Sequence, residues 1–328
     1  MKEFSRGIKS HWRYVVLGVV AGAGLLFFIY VVTGTRAYVV AKRARDNCHD
    51  QYPLISRSIG CVTLDDTTER LRSLDILLDS TTDLYVKEGK AKRISIFIRD
   101  LVSQQWAASN ENETYTPASL MKLPLLITYY KIRSLDPSIF SAKLSYNGAK
   151  SQYIEHFAAP ETLSPGTYTV SDLLTRMMVD SDNAAATLLQ SQINPDIFKQ
   201  TIVDLGITLP VNQNTVDYMT AKTYAGILRI LYNASYLNRD SSQAVLSLMS
   251  SSSFKGLAAL LPQDVIVSHK FGERETISSA GPIRELHDCG IVYKDPNPYI
   301  ICVMTQGSNF ESLLSIIEDL SSLAYQNM

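Results

Sequence analysis

The sequence predicts an α+β protein, a three-layer α/β/α domain with one antiparallel sheet built from both chain ends plus a helical subdomain, preceded by an N-terminal transmembrane helix. Three observations predict it: β-branched runs near residue 94 and again after residue 264, amphipathic helical segments between them, and an uncharged stretch close to the amino terminus. The chain has 328 residues, 46% of them apolar, enough to bury a substantial core. Lys plus Arg (31) nearly balance Asp plus Glu (32), so no overall field draws the chain to nucleic acid, and partners must come from local features.

Residues 14–35 read YVVLGVVAGAGLLFFIYVVTGT and carry no charge; at about 1.5 Å per residue a helix of that length crosses a hydrocarbon layer roughly 30 Å thick. The stretch is long for a cleaved signal peptide and no small-x-small pattern follows it directly, so it reads as a signal anchor. The expected layout is a cytoplasmic terminus at 1–13, the span at 14–35, a stalk or strap at 36–62 and a folded domain at 63–328. Basic residues balance across the span (Lys2, Arg6, Lys9 and Arg13 against Arg36, Lys42, Arg43 and Arg45), which leaves its orientation to the chemistry.

Within the domain, Leu71, Leu74, Ile76, Leu77, Leu78 and Leu84 predict a helix over 64–86. ISIFIRDL at 94–101 predicts a strand, with QQWAAS at 104–109 as its hairpin partner. The middle is helical through SLMKLPLLITYYKIR, SDLLTRMMVDSDNAAATLLQ and TAKTYAGILRILY. VIVSHKFG, CGIVY and YIICVMTQG are strands, with a turn at NPY, and SNFESLLSIIEDLSSLAYQ is a closing helix.

Four cysteines are too few for a disulfide scaffold, and neither Cys-x-x-Cys nor His-Glu-x-x-His occurs, so no metal and no cofactor is implied. Cys289 and Cys302 flank the turn around Asp295 and Pro296 almost symmetrically, as buried thiols or as a disulfide; Cys48 and Cys61 can pair in the stalk. Neither pair is expected to touch the chemistry. His269 and His287 read as structural, with His269 facing away from Lys270 across the strand.

Three polar clusters carry the chemistry. Ser119 and Lys122 lie one helical turn apart after Pro117, where the unpaired N–H groups and the dipole of a helix start favour negative charge on the hydroxyl oxygen. Ser181-Asp182-Asn183 sits where two helices meet, and Lys270-Phe271-Gly272 ends an edge-like strand whose glycine admits a close approach to the backbone. Taken singly they read as a helix start, a cap and a solvated lysine, and Ser252 with Lys255 repeats the first spacing.

In this order and at this wide spacing, the three resemble the Ser-x-x-Lys, Ser-Asp-Asn and Lys-Thr/Ser-Gly signature of class A β-lactamases and low-molecular-mass penicillin-binding proteins. The Ser252 copy fails because its Ser-Asp-Asn would lie upstream. The similarity extends through TYTVSDLLTRMMVDSDNAAATLL, MTAKTYAGILRILY, HDCGIVY and TQGSNFESLLSIIEDL, covering about residues 64–328.

The resemblance implies a serine hydrolase that forms an acyl-enzyme on Ser119 with β-lactams or cell-wall D-alanyl peptides. Lys122 would help take the Ser119 proton and Ser181 would relay it to the leaving nitrogen. Asn183 and Lys270 would bind substrate, and the oxyanion hole would be the N–H groups of Ser119 and of Glu273, the residue after Gly272. Two departures stand out. Phe271 occupies the place of the family's carboxylate-binding hydroxyl, and the stretch 206–220 holds no Glu, Asp217 being its only carboxylate. A missing general base predicts slow deacylation unless Asp217 or Glu273 reaches the ester. Because such substrates lie outside the cytoplasmic membrane, the resemblance also implies a single-pass cell-membrane protein with its domain extracytoplasmic. The competing expectation is a receptor or pseudoenzyme scaffold that binds β-lactam or peptidoglycan stem peptide without turnover.

Overall fold

A computed structural model describes residues 53–55, 70–148, 156–157, 163–212, 215–279 and 281–328. The expected span at 14–35, with Cys48 and Cys61, lies outside the described residues, among which no helix is long and apolar enough to cross a membrane.

The first hairpin forms as expected. β1 (Arg93–Asp100) pairs antiparallel with β2 (Trp106–Ser109), Ile96 opposite Ser109. The helix ahead of it, α1, spans Arg72–Lys87, shorter than predicted, and sends Leu74 and Leu78 into the core. At the other end of the chain are β5 (Val267–Ser278), β6 (Gly281–Val292), β7 (Tyr299–Gly307) and the closing helix α8 (Phe310–Asn327). The sheet order β2-β1-β7-β6-β5, with every neighbour antiparallel, joins the two chain ends where β1 pairs with β7 and leaves β5 on an edge.

β5 and β6 run past the predicted VIVSHKFG and CGIVY because their outer halves are charged. There Glu275 pairs with Arg284 across the ladder, with an ion pair of 2.6 Å, and no apolar run betrays the strands.

Successive strand residues face opposite sides, and the ladder registers sort them into rows. One row runs Ile96, Val303, Asp288, Phe271. Its apolar members belong to the core with Leu74 and Leu78 of α1 and with Phe310, Leu313, Ile317 and Leu320 of α8. The neighbouring row, Phe97, Cys302, Cys289, Lys270, faces the helical subdomain. Burying one such leucine contributes about 1.5–3 kcal/mol, so this two-sided burial is the main term holding the sheet. Cys289 and Cys302, opposite each other, are joined in a disulfide, which resolves the open alternative. Cys289 is also the ladder partner of Lys270, so the expectation that this pair stands clear of the candidate chemistry is corrected.

Between the sheet's two halves lie α2 (Lys122–Arg133), α3 (Val170–Val179), α4 (Asn183–Gln192), α5 (Pro195–Asp204), α6 (Ala221–Tyr232) and α7 (Arg239–Ser250). α5, α7 and a small hairpin of β3 (Lys143–Tyr146) with β4 (Gly166–Thr169) were not anticipated. Both helices start on an Asn cap (Asn194, Asn238), a local signal that the reading from apolar spacing did not use. Within the stretch expected as a stalk or strap, Leu54 and Ile55 are buried; Leu54 donates its N–H to Gln243 at 2.9 Å and accepts from the Tyr293 hydroxyl at 2.8 Å.

Candidate active site

The turn carrying Ser119 is held at both ends. Tyr115 exchanges backbone hydrogen bonds with Met219 (2.8 and 3.1 Å), and the Tyr224 hydroxyl donates to the Leu120 carbonyl at 3.2 Å. The chain then enters a 3-10 turn, Ala118–Met121, that runs into α2, so Ser119 does stand at a helix start. Ala118 takes φ +46°, a left-handed conformation costing about 1–2 kcal/mol in a non-glycine residue, which the surrounding packing must sustain.

β5 lies directly against this turn. A Cβ on Gly272 would come within 2.9 Å of the Pro117 carbonyl oxygen and 3.1 Å of the Leu120 nitrogen, so the strand's closeness requires glycine.

Ser181 and Asn183 come from the junction of α3 and α4, as expected. Asp182 caps α4 by accepting the Ala185 N–H at 2.8 Å, and Ser181, fully buried, takes φ +58°. Lys122 Nζ donates to the Ser181 carbonyl, to Ser181 Oγ at 3.0 Å and to Asn183 Oδ1 at 2.7 Å. From the sheet side, Lys270 Nζ donates to Ser181 Oγ at 2.9 Å and to the Phe271 carbonyl at 3.0 Å. Three stretches far apart in sequence thus meet at one hydroxyl, with a buried lysine on either side of it.

The departures from the family pattern are also placed. Phe271 is buried, its ring 4.2 Å from the Phe254 ring and 4.2 Å from Lys270 Nζ, so an aromatic face stands where the Lys-Thr/Ser-Gly pattern has a hydroxyl. Asp217 is committed elsewhere: Oδ1 accepts the Thr116 hydroxyl at 2.6 Å and Oδ2 pairs with Arg93 at 3.5 Å. The Glu273 carboxylate is bonded to the backbone N–H groups of His156 and Phe157. His269, turned to the other face as expected, is buried against Asp288 with Nδ1 2.9 Å from the carboxylate.

A second polar layer lies behind Ser119, of which the sequence marked only His287, as a structural histidine. Arg274 donates to Thr116 Oγ1 at 2.8 Å, and His287 Nε2 lies 3.0 Å from the Thr116 carbonyl oxygen. Buried Glu285 accepts from Gln306 at 3.1 Å, and burial, reinforced by the Asp217 charge, raises its carboxyl pKa above the ordinary range. These residues lie on the charged outer halves of β5 and β6, where alternation alone would have marked inward-facing polar groups.

A family model described as the beta-lactamase enzyme family matches residues 78–328. No curated protein sequence matches the chain. Among solved structures, a point mutant of PBP-A captured as an acyl-enzyme complex with penicillin-G is 15% identical, with TM-score 0.63 over 80% of this chain and 99% of that one. TLA-1 extended spectrum beta-lactamase is 20% identical, with TM-score 0.63 over 77% and 98%. A beta-lactamase from Sphaerobacter thermophilus is 17% identical, with TM-score 0.64 over 77% and 97%. At such identities the likeness shows a shared fold.

Proposed function

The chain belongs to the beta-lactamase enzyme family, and from that premise we propose that it forms an acyl-enzyme on Ser119 with β-lactams or cell-wall D-alanyl peptides and releases it slowly. The observation that carries the proposal is the convergence of Lys122, Lys270 and Asn183 around Ser181 beside the Ser119 turn. Ser119 Oγ attacks the amide carbonyl as Lys122, acting as a neutral amine, takes its proton; the C–N bond breaks, and Lys122 returns the proton through Ser181 to the leaving nitrogen. Both lysines donate to Ser181 Oγ, so the Ser181 proton is directed away from them and available for that transfer. Asn183 and Lys270 hold the substrate. Gly272 lets the strand approach, so that the Glu273 and Ser119 N–H groups serve as the oxyanion hole, each such donor worth on the order of 3 kcal/mol.

Slow release follows from the absence of a general base in 206–220 and from the engagement of both Asp217 oxygens. The Cys289–Cys302 disulfide and the uncharged stretch at 14–35 support an anchored protein whose domain lies outside the cytoplasm, where thiols oxidise and these substrates occur. A receptor or scaffold that is acylated without turnover is the second reading, and Phe271 at the carboxylate position favours it.

The decisive test is intact-mass spectrometry of the detergent-solubilised chain with a penicillin, beside chromogenic cephalosporin turnover. A long-lived adduct on Ser119, absent in Ser119→Ala, is the expected result. Steady turnover would reject slow release, labelling with no turnover at all would favour the receptor, and neither adduct nor turnover would remove the acyl-enzyme reading.

A further inference from the structure

Building on the acyl-enzyme reading, we infer that the Glu273 side chain is a specificity determinant. It clamps the backbone at His156 and Phe157 onto the edge strand, holds an aromatic wall against Lys270, and removes the advantage that a free carboxylate beside the scissile bond would give an acyl donor.

Glu273 is 8% exposed; its Oε2 accepts the His156 N–H at 3.0 Å and its Oε1 the Phe157 N–H at 3.0 Å. A carboxylate taking two successive backbone N–H groups is a charge-assisted, orientation-specific contact. His156 is fixed a second time, its Nε2 lying 2.9 Å from Glu311 and its ring stacking on Phe310 at 4.9 Å. Leu163, six positions beyond Phe157, donates its N–H to Asp182 Oδ2 at 3.2 Å. Phe157 is therefore tied to the edge strand at Glu273, and Leu163 to the Ser181-Asp182-Asn183 junction.

Glu273 and Phe271, two apart on one strand, share a face, so the clamp and the aromatic wall lie on the same side. Phe157 packs on Phe254 at 5.3 Å, Phe254 on Phe271 at 4.2 Å, and the Phe271 ring lies 4.2 Å from the Lys270 ammonium. Lys270 is 0% exposed, engaged by that ring, by Ser181 Oγ and by the Phe271 carbonyl. A carboxylate seeking the ammonium must displace an aromatic face and finds no hydroxyl at position 271. An ester or amide group at the same place forfeits nothing.

The test is the rate of Ser119 acylation by penicillin G and by its methyl ester, read by intact mass on the full chain and on Glu273→Ala, Glu273→Gln and Phe157→Ala. The wild type should react with the ester at least as fast as with the free acid. Glu273→Ala should shift the ratio toward the acid by about tenfold, the scale of one charge-assisted hydrogen bond, and Phe157→Ala, which keeps the bonded N–H but removes the ring, should shift it in the same direction. Glu273→Gln, which removes the charge but keeps an acceptor, should fall between. Amide hydrogen exchange at 156–157, faster in Glu273→Ala with the remainder unchanged, separates release of the clamp from misfolding. A wild type that prefers the free acid, or a ratio that Glu273→Ala and Phe157→Ala leave unmoved, overturns the inference and leaves the acyl-enzyme reading standing. Absence of any adduct with either compound on any of these proteins removes both.

Discussion

His287 and Thr116 are joined by a 3.0 Å hydrogen bond from the ring Nε2 to the carbonyl oxygen, while the ring Nδ1 accepts the Thr305 N–H at 3.3 Å. Only a neutral imidazole protonated at Nε2 satisfies both bonds, since a second proton would face the Thr305 N–H. Burial acts in the same sense and pushes the pKa from 6.5 down to about 4. The sign follows from linkage: between these values the unfolded chain binds a proton that the folded chain refuses. The stabilisation is thus complete above pH 6.5 and falls as pH drops toward 4, by up to about 3 kcal/mol. Denaturant unfolding measured across that window should show a clearly shallower slope for His287→Gln, whose amide can replace both bonds. Equal slopes in the two proteins would contradict the assignment.

Ser181 is the acceptor shared by two buried lysines. Ser181→Ala removes the oxygen between them and the proposed proton carrier. Acylation should slow by about 100-fold or more, and stability should fall by about 1–3 kcal/mol because buried donors lose a partner. An adduct forming at the wild-type rate in stopped-flow labelling would take Ser181 out of the proposed proton path.

Gly272 separates function from stability in another way. Gly272→Ala sets a methyl group 2.9 Å from the Pro117 carbonyl oxygen, too close without moving strand or turn. The edge strand gives way more readily than the core, so the expected outcome is loss of acylation well beyond the loss of thermal stability. A folded Gly272→Ala protein acylated normally would show that the strand need not touch the Ser119 turn.

Much of this was legible in the sequence, and the gaps have a common cause. Ser119, Lys122, Ser181, Asn183 and Lys270 are each ordinary at a helix start, a helix junction or an edge strand, and only their order and spacing together singled them out; the structure brings Lys122, Asn183 and Lys270 together at Ser181. β1 and β7 announced themselves as apolar runs because both of their faces are buried. Arg274, Glu285 and the outer halves of β5 and β6 did not, because their inward positions are polar and are satisfied only by partners distant in sequence, Thr116 and Gln306 among them. Glu273 was marked for its backbone N–H alone; the role of its carboxylate depends on residues 156–157, more than a hundred positions upstream.

The disulfide gives a test of the sheet itself. Cys289 and Cys302 close a loop with a sequence separation of 13, for which chain entropy gives about 3 kcal/mol of stabilisation. The double variant Cys289→Ala with Cys302→Ala should lose stability on that scale, and because Cys289 is the ladder partner of Lys270, its acylation should slow as well. Peptide mapping with and without reductant should recover residues 289 and 302 in one cross-linked species from the unreduced wild type; finding both as free thiols would remove the bond.

Asp217 decides whether release is slow for the reason given. Both its oxygens serve Thr116 and Arg93, and through Thr116 it is linked to Arg274 on the edge strand. The slow-release proposal assigns this carboxylate to bracing the loop before Ser119 rather than to activating water. Asp217→Asn should therefore lower thermal stability, since an amide replaces a carboxylate opposite Arg93, while the lifetime of the Ser119 adduct stays within about twofold of wild type. Removing a genuine deacylation base would instead lengthen that lifetime by about 100-fold to 10,000-fold. The two outcomes are far enough apart for a time course of adduct decay to choose between them.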